Sequence, residues 1–243
     1  MTDLIPDPQR LPAITPAFTE AVEQALISRR SVRAYQAREV PKALIERVMA
    51  VAARAPSGTN TQPWKVTVLT GAAKQSLSDK IMAAFNDPAQ KDAHQEAYPY
   101  YPTEWVSPYI DRRRKIGWDM YGLLGLTKDN KAGMHAQHGQ NYLFFGAPVG
   151  LMFTIDRVMQ QGSWLDYGMF IQSVMLAARA HGLDTCPQAA FNPYHGLILQ
   201  HIGAGPEEVL VCGLSLGYAD NSAPISQLRT EREPVAGFTR FMD

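Results

Sequence analysis

The chain has almost no cysteine. Only Cys186 and Cys212 occur in 243 residues, so no disulfide framework holds the fold, and a domain of this length needs none. Both lie among apolar neighbours, which reads as buried, inert thiols rather than a redox pair. Excess charge is missing too: 23 basic residues meet 23 acidic ones. A nucleic-acid surface carries a basic excess, so that partner is not expected. No apolar run is long enough to cross a bilayer. Met1–Pro6 shows no basic region followed by an apolar one, so no secretory leader is read and the cytoplasm is the expected compartment. Repeats, low-complexity tracts and domain-boundary signals are absent, and residues 1–243 read as one domain.

What is present is an ordinary globular composition, 46% apolar and 19% charged. Residues 1–15 read as an N-terminal arm. Thr15-Pro16 has the form of a helix cap followed by proline at the first helical position, and Phe18, Val22, Ala25 and Leu26 give residues 16–29 an apolar stripe. Pro41 opens a second helix with Leu44, Ile45, Val48 and Val51 on its stripe, and Pro56 stops it. Trp64 to Thr70 reads as a strand, 72–85 as a helix, 109–127 as a helix and 148–155 as a strand. Between them, 87–108 carries four prolines among Tyr98, Tyr100, Tyr101 and Trp105, an excursion from the core. Ser163 and Asp166 have capping-box spacing. Trp164 to Ala178 is apolar on all faces, which predicts a buried helix ended by His181-Gly182. Val209 to Leu216 is the last strand, and 218–243 is a tail without period.

Three segments carry chemistry. Arg29-Arg30-Ser31-Val32-Arg33 places three guanidinium groups and a hydroxyl within five residues, a set suited to a phosphate dianion. A solvated basic helix end is the competing reading. Pro56-Ser57-Gly58-Thr59-Asn60-Thr61-Gln62-Pro63-Trp64 offers donors, acceptors and a glycine that admits close approach of a ligand, or is a plain turn. Thr185-Cys186-Pro187-Gln188-Ala189-Ala190-Phe191 reads as a turn whose small residues leave backbone N–H groups open, or as a connecting loop. His135 and His138 stand three apart without a Cys or carboxylate partner nearby, so no metal is expected. Arg112-Arg113-Arg114-Lys115 reads as a solvated helix face, and Met152, Met169 and Met175 as core.

Together and in this order, the Arg-Arg-Ser-Val-Arg segment, the Pro-Ser-Gly-Thr-Asn-Thr-Gln-Pro-Trp loop and the Gly-Leu-Asp-Thr-Cys-Pro turn resemble the FMN-dependent nitroreductase family over residues 16–238. The stretch from Arg114 to Gly122 resembles its nitroaromatic-reducing subgroup. The resemblance implies an α+β fold with a central, mostly antiparallel sheet flanked by helices, dimeric, with an exchanged C-terminal tail. It implies FMN, with NADPH or NADH as electron donor, a ping-pong reaction and a small aromatic acceptor. By position, Arg29, Arg30, Ser31 and Arg33 would hold the phosphate, ribityl chain and ring edge. Pro56, Ser57 and Asn60 would reach the flavin from the partner subunit. Pro187, Gln188 and Ala189 would face N5, and Arg232, with Arg229, would reach the phosphate. Ala189 and Ala190 stand where some relatives carry an acidic residue. Residues 87–127 would form an aromatic insertion over the flavin, with Trp118 or Tyr121 shaping the acceptor pocket. An ene-reductase or dehalogenase of the same fold, a flavin carrier without catalysis, and a phosphate-binding module without flavin are the competing functions.

Overall fold

The computed structural model describes residues 13–90 and 93–242. Most of the expected arm, residues 1–12, lies outside the described residues. The Thr15 hydroxyl accepts the Phe18 amide at 3.2 Å, and α1 runs Pro16–Ser28 behind that cap. Next come α2 (Lys42–Ala52), β1 (Lys65–Thr70), α3 (Gly71–Asn86) and α4 (Tyr109–Leu123). The last is shorter than expected, because the chain turns at Gly125 with a φ of 67°. The chain continues through α5 (Lys131–Gly139), β2 (Val149–Asp156), α6 (Gln161–Ala180), β3 (Asp184–Gln188), α7 (His195–Ile202), β4 (Glu208–Gly217) and α8 (Val235–Phe238).

The strands form one sheet in the order β1-β2-β4-β3, antiparallel at every pairing. Helices cover both faces, which explains why β2 and β4 are apolar almost without alternation. On one face α2 and α6 pack on Val149, Leu151, Phe153, Ile155, Leu214 and Leu216. On the other, Leu77 and Ile81 of α3 and Ile198 of α7 join Phe144 and Phe191 over Leu69, Met152 and Leu210. Each large apolar side chain so buried stabilises the fold by about 1.5–3 kcal/mol. Gly150 and Gly213 turn toward this second layer. A Cβ on either would lie 2.4 Å from the ring of Phe144 or Phe191 respectively, and the two rings sit 5.0 Å apart. The missing side chains are what seat this pair under the Pro187–Phe191 segment.

Three expectations need correction. Ser163 is not the cap of α6, which begins two residues earlier. Its hydroxyl instead meets the Met159 sulfur at 3.5 Å, and Asp166 accepts the Gly58 amide at 3.1 Å. Nor is α6 buried all round within the chain. Tyr167, Phe170, Val174 and Ala178 face the core, but Leu165 is 72% and Met169 36% exposed, so Met169 is not core, whereas Met152 and Met175 are buried on opposite faces of the sheet. Finally, Asp184–Gln188 is a strand and not a turn. Pro187 hid it, since proline lacks the ladder donor. It is tolerated here because β3 is an edge strand.

Candidate functional site

After α1 the chain runs alongside the outer edge of β3. Ser31 bridges Thr185 in parallel, and the Val32 amide donates to the Thr185 carbonyl at 3.0 Å. Val32 is buried, while its neighbours Ser31 and Arg33 line a groove of about 770 Å³. The arginine segment and the 185–189 segment, separate in sequence, are thus stitched together. Arg179, from the last turn of α6, and Arg229 and Arg232, from the tail, complete the wall. Six arginines line this groove, and no carboxylate among the described residues does. Asp184 engages one of them, Arg179, at 3.1 Å.

The arginines are not equivalent. Arg30 spends its fork on the Ser226 carbonyl and on Asn221 Oδ1, the latter at 2.6 Å. Burial, and then the charge of Arg229, hold its guanidinium below the usual value. Arg229 donates to Ser226 O and Leu228 O, both at 2.9 Å. Arg33 lines the groove and also a second cavity of about 400 Å³, so it stands where the two meet.

The floor of the second cavity is Pro187, Gln188, Ala189 and Ala190. Its walls are Tyr100 and Tyr101 of the excursion, Met120 and Tyr121 of α4, and Gln137, His138, Asn141 and Tyr142. The Gln188 side chain turns into the fold, donating to Asn141 O at 2.7 Å and accepting from the Ser215 hydroxyl at 2.6 Å. What it offers a ligand is therefore backbone. His138 Nε2 lies 3.2 Å from the Tyr142 hydroxyl, and burial lowers its basicity, which favours the neutral imidazole. Trp118 is not part of the cavity wall. It is 42% exposed, with the Lys128 ammonium 4.9 Å over its ring. Burial pushes the Cys212 thiol up to about 12 and raises that of Cys186, so neither is a nucleophile at neutral pH.

Pro56, Ser57 and Asn60 are not brought to this groove. Their loop, with Thr59, Asn60 and Gln62 at positive φ, is fixed by Asp166 on the early part of α6, whereas Arg179 sits at its end. At about 1.5 Å per residue the two anchor points lie roughly 20 Å apart along the helix. The histidine pair also resolves. His135 stacks on Phe85 at 4.1 Å and meets Asn86 Oδ1 at 3.0 Å, packing contacts of an exposed imidazole. Arg179, Gln137, His138 and Asn141 were not read as site residues from the sequence. The single cation in the last turn of an otherwise apolar helix was the available signal for Arg179.

Known proteins resemble this chain over most of its length. The model of the Nitroreductase family matches residues 26–218. A 4-nitrobenzoate reductase of Pseudomonas putida is 42% identical over 93% of this chain and 97% of its own. The structure of an FMN and NADPH-dependent nitroreductase, NfnB of Sphigopyxis sp. strain HMH, superposes with a TM-score of 0.88 at 38% identity, covering 91% of this chain and 99% of that one. The FMN-dependent NfnB of Mycobacterium smegmatis, solved with NADPH, gives a TM-score of 0.87 at 30% identity over 93% and 100% of the two chains.

Proposed function

Because the chain belongs to the nitroreductase family, we propose that it is an FMN-dependent oxidoreductase passing electrons from NADPH to nitroaromatic compounds. One observation carries the reading: a cationic groove runs through Arg33 into an aromatic-walled cavity floored by backbone. The donor set fits FMN. A terminal phosphate dianion would relieve six clustered guanidinium groups, and charge-assisted forks are the strong way to hold it. Bound FMN supplies acceptance and return of a hydride at N5.

The residues divide the remaining work. Arg29, Ser31, Arg229 and Arg232 hold the phosphate. Arg33, which lines both cavities, would supply positive charge at the N1–C2=O edge, where it favours the reduced ring. Arg30 is already committed to Ser226 and Asn221, so it positions the tail. Backbone of Pro187, Gln188 and Ala189 would face N5, and Ala189 and Ala190 leave this turn itself without an acidic side chain. Tyr121, Tyr100 and Tyr101 exclude water and stack on a flat acceptor. Neutral His138 contributes a polar wall. Donor and acceptor would enter the same cavity in turn, a ping-pong order. A cytoplasmic setting, where a nicotinamide donor is at hand, belongs to this reading.

The working unit is a homodimer. Among the described residues the α1 stripe is only partly covered, Phe18 being 42% and Leu26 48% exposed, and Leu165 on α6 and Phe238 on the tail are exposed as well. Antiparallel pairing of the exposed α6 faces would bring Pro56, Ser57 and Asn60 of one copy over the arginine groove of the other. An interface of this kind buries on the order of 2,000–5,000 Å².

An absorption spectrum tests the reading. The purified protein should be yellow, be bleached by anaerobic NADPH, and recover its colour on adding a nitroaromatic. Colour that NADPH leaves untouched would favour a flavin carrier, and release of FAD on denaturation would overturn the cofactor assignment. Tyr121→Ala should retain FMN and lower kcat/KM for a nitroaromatic about threefold to tenfold more than for a small quinone. Trp118→Ala should change the two alike.

A further inference from the structure

The basic run Arg112–Lys115 is the motif that the proposed function leaves without a task. By composition it is a solvated face, yet three of its four side chains have partners. Arg112 pairs with Glu233. Lys115 pairs with Asp119 at 2.7 Å and with Glu231 at 3.5 Å. The Arg113 guanidinium lies 5.1 Å from the Tyr101 ring centre and 4.6 Å from that of Trp105. Glu231 and Glu233 bracket Arg232, which lines the phosphate groove, while Tyr101 lines the acceptor cavity. The same helix places Ile116 in the first and Met120 and Tyr121 in the second. So α4 touches both cavities, and its first two turns are tied to both the tail and the aromatic excursion.

We propose that this run is a strut between the two cavities. Arg112 and Lys115 are positioning residues that hold the tail so that Arg232 faces the phosphate. Arg113 holds Tyr101 against the acceptor cavity by cation–π attraction. The proposal rests on the flavin reading, since Arg232 acts on the FMN phosphate. Exposed ion pairs are individually weak and screened by salt. Here, however, two of them flank one residue, and moving that residue is read directly as cofactor release.

The experiment follows FMN leaving the diluted holoenzyme by the return of its fluorescence. Arg112→Ala with Lys115→Ala should release FMN about threefold to tenfold faster at low salt, with the ratio to wild type falling toward one at ~1 M KCl. Glu231→Gln with Glu233→Gln, which leaves α4 untouched, should do the same. Exchanging the charges, Arg112→Glu with Glu233→Arg, should restore release to within about twofold of wild type, a rescue that loss of helix packing would not show. Arg113→Leu should leave release unchanged and raise KM for a nitroaromatic about threefold with kcat kept. A wild-type protein that holds FMN, with both pair-breaking variants releasing it at the wild-type rate, overturns the strut and leaves the flavin reading standing. A wild-type protein that takes up no FMN overturns the flavin reading and the strut together.

Discussion

Arg29→Ala is expected to weaken FMN binding about thirtyfold to a hundredfold, the largest single effect in the groove. Arg29 lines the groove directly, and its backbone amide closes α1 on Ala25, so the side chain leaves from a fixed point. A charge-assisted hydrogen bond contributes about 1.5–3 kcal/mol, and a fork makes two. Partial exposure discounts the sum to roughly 2–3 kcal/mol, which is the stated range. Arg29→Lys should recover only part of it, because an ammonium is a point charge and cannot fork. Arg30→Ala should behave differently. It frees the Ser226 carbonyl and Asn221 that its side chain now engages, so FMN loss should come with a loosened 224–232 segment, visible as faster amide exchange there. Titration of FMN against the apoprotein by fluorescence separates the two. Unchanged affinity in Arg29→Ala would remove it from the phosphate site.

Gly213→Ala is expected to lower stability by about 1–3 kcal/mol, the usual cost of forcing extra volume into a packed core. The added Cβ would meet the Phe191 ring at 2.4 Å, and Phe191 cannot retreat because Phe144 and Tyr142 lie against it. In a chain of this length each kcal/mol moves the thermal midpoint by about 2–4 °C, so a fall of roughly 3–10 °C is the outcome to look for. Phe191→Leu in the same chain should return part of the loss, a coupling that a double-mutant cycle measures. Because Phe191 follows directly on the Pro187–Ala190 floor, the shift should also disturb the flavin's absorption envelope. A midpoint within one degree or so of wild type would mean that the ring has room that the structure does not show.

The sequence was legible where one physical signal ruled. Thr15-Pro16 marks the start of α1, and the apolar runs of β2 and β4 mark strands buried on both faces. The arginine segment and the 185–189 segment were legible as chemistry, although only the fold shows Ser31 bridged to Thr185. Where signals competed, the reading slipped. Pro187 argued against a strand that an edge position permits. Ser163 offered a cap, but the chain was already helical at Gln161. Met169 looked like core because nothing in a single chain says which face of α6 is left for a neighbour. His138, weighed only as a metal ligand, lines the aromatic-walled cavity, a placement that depends on α5 folding back toward the end of β3.

The bridge between Ser31 and Thr185 reaches beyond binding. An uncovered edge strand presents unpaired amide and carbonyl groups and recruits strands from other molecules. Residues 31 and 32 cover the outer edge of β3 with a parallel bridge and a 3.0 Å hydrogen bond, and Pro187 removes a donor from the same edge. Three of the six groove arginines, Arg29, Arg30 and Arg33, are therefore borne on the segment that keeps the sheet from extending. Charge carried beside a sheet edge discourages an incoming strand, so protection of that edge and the proposed phosphate site would rest on the same few residues.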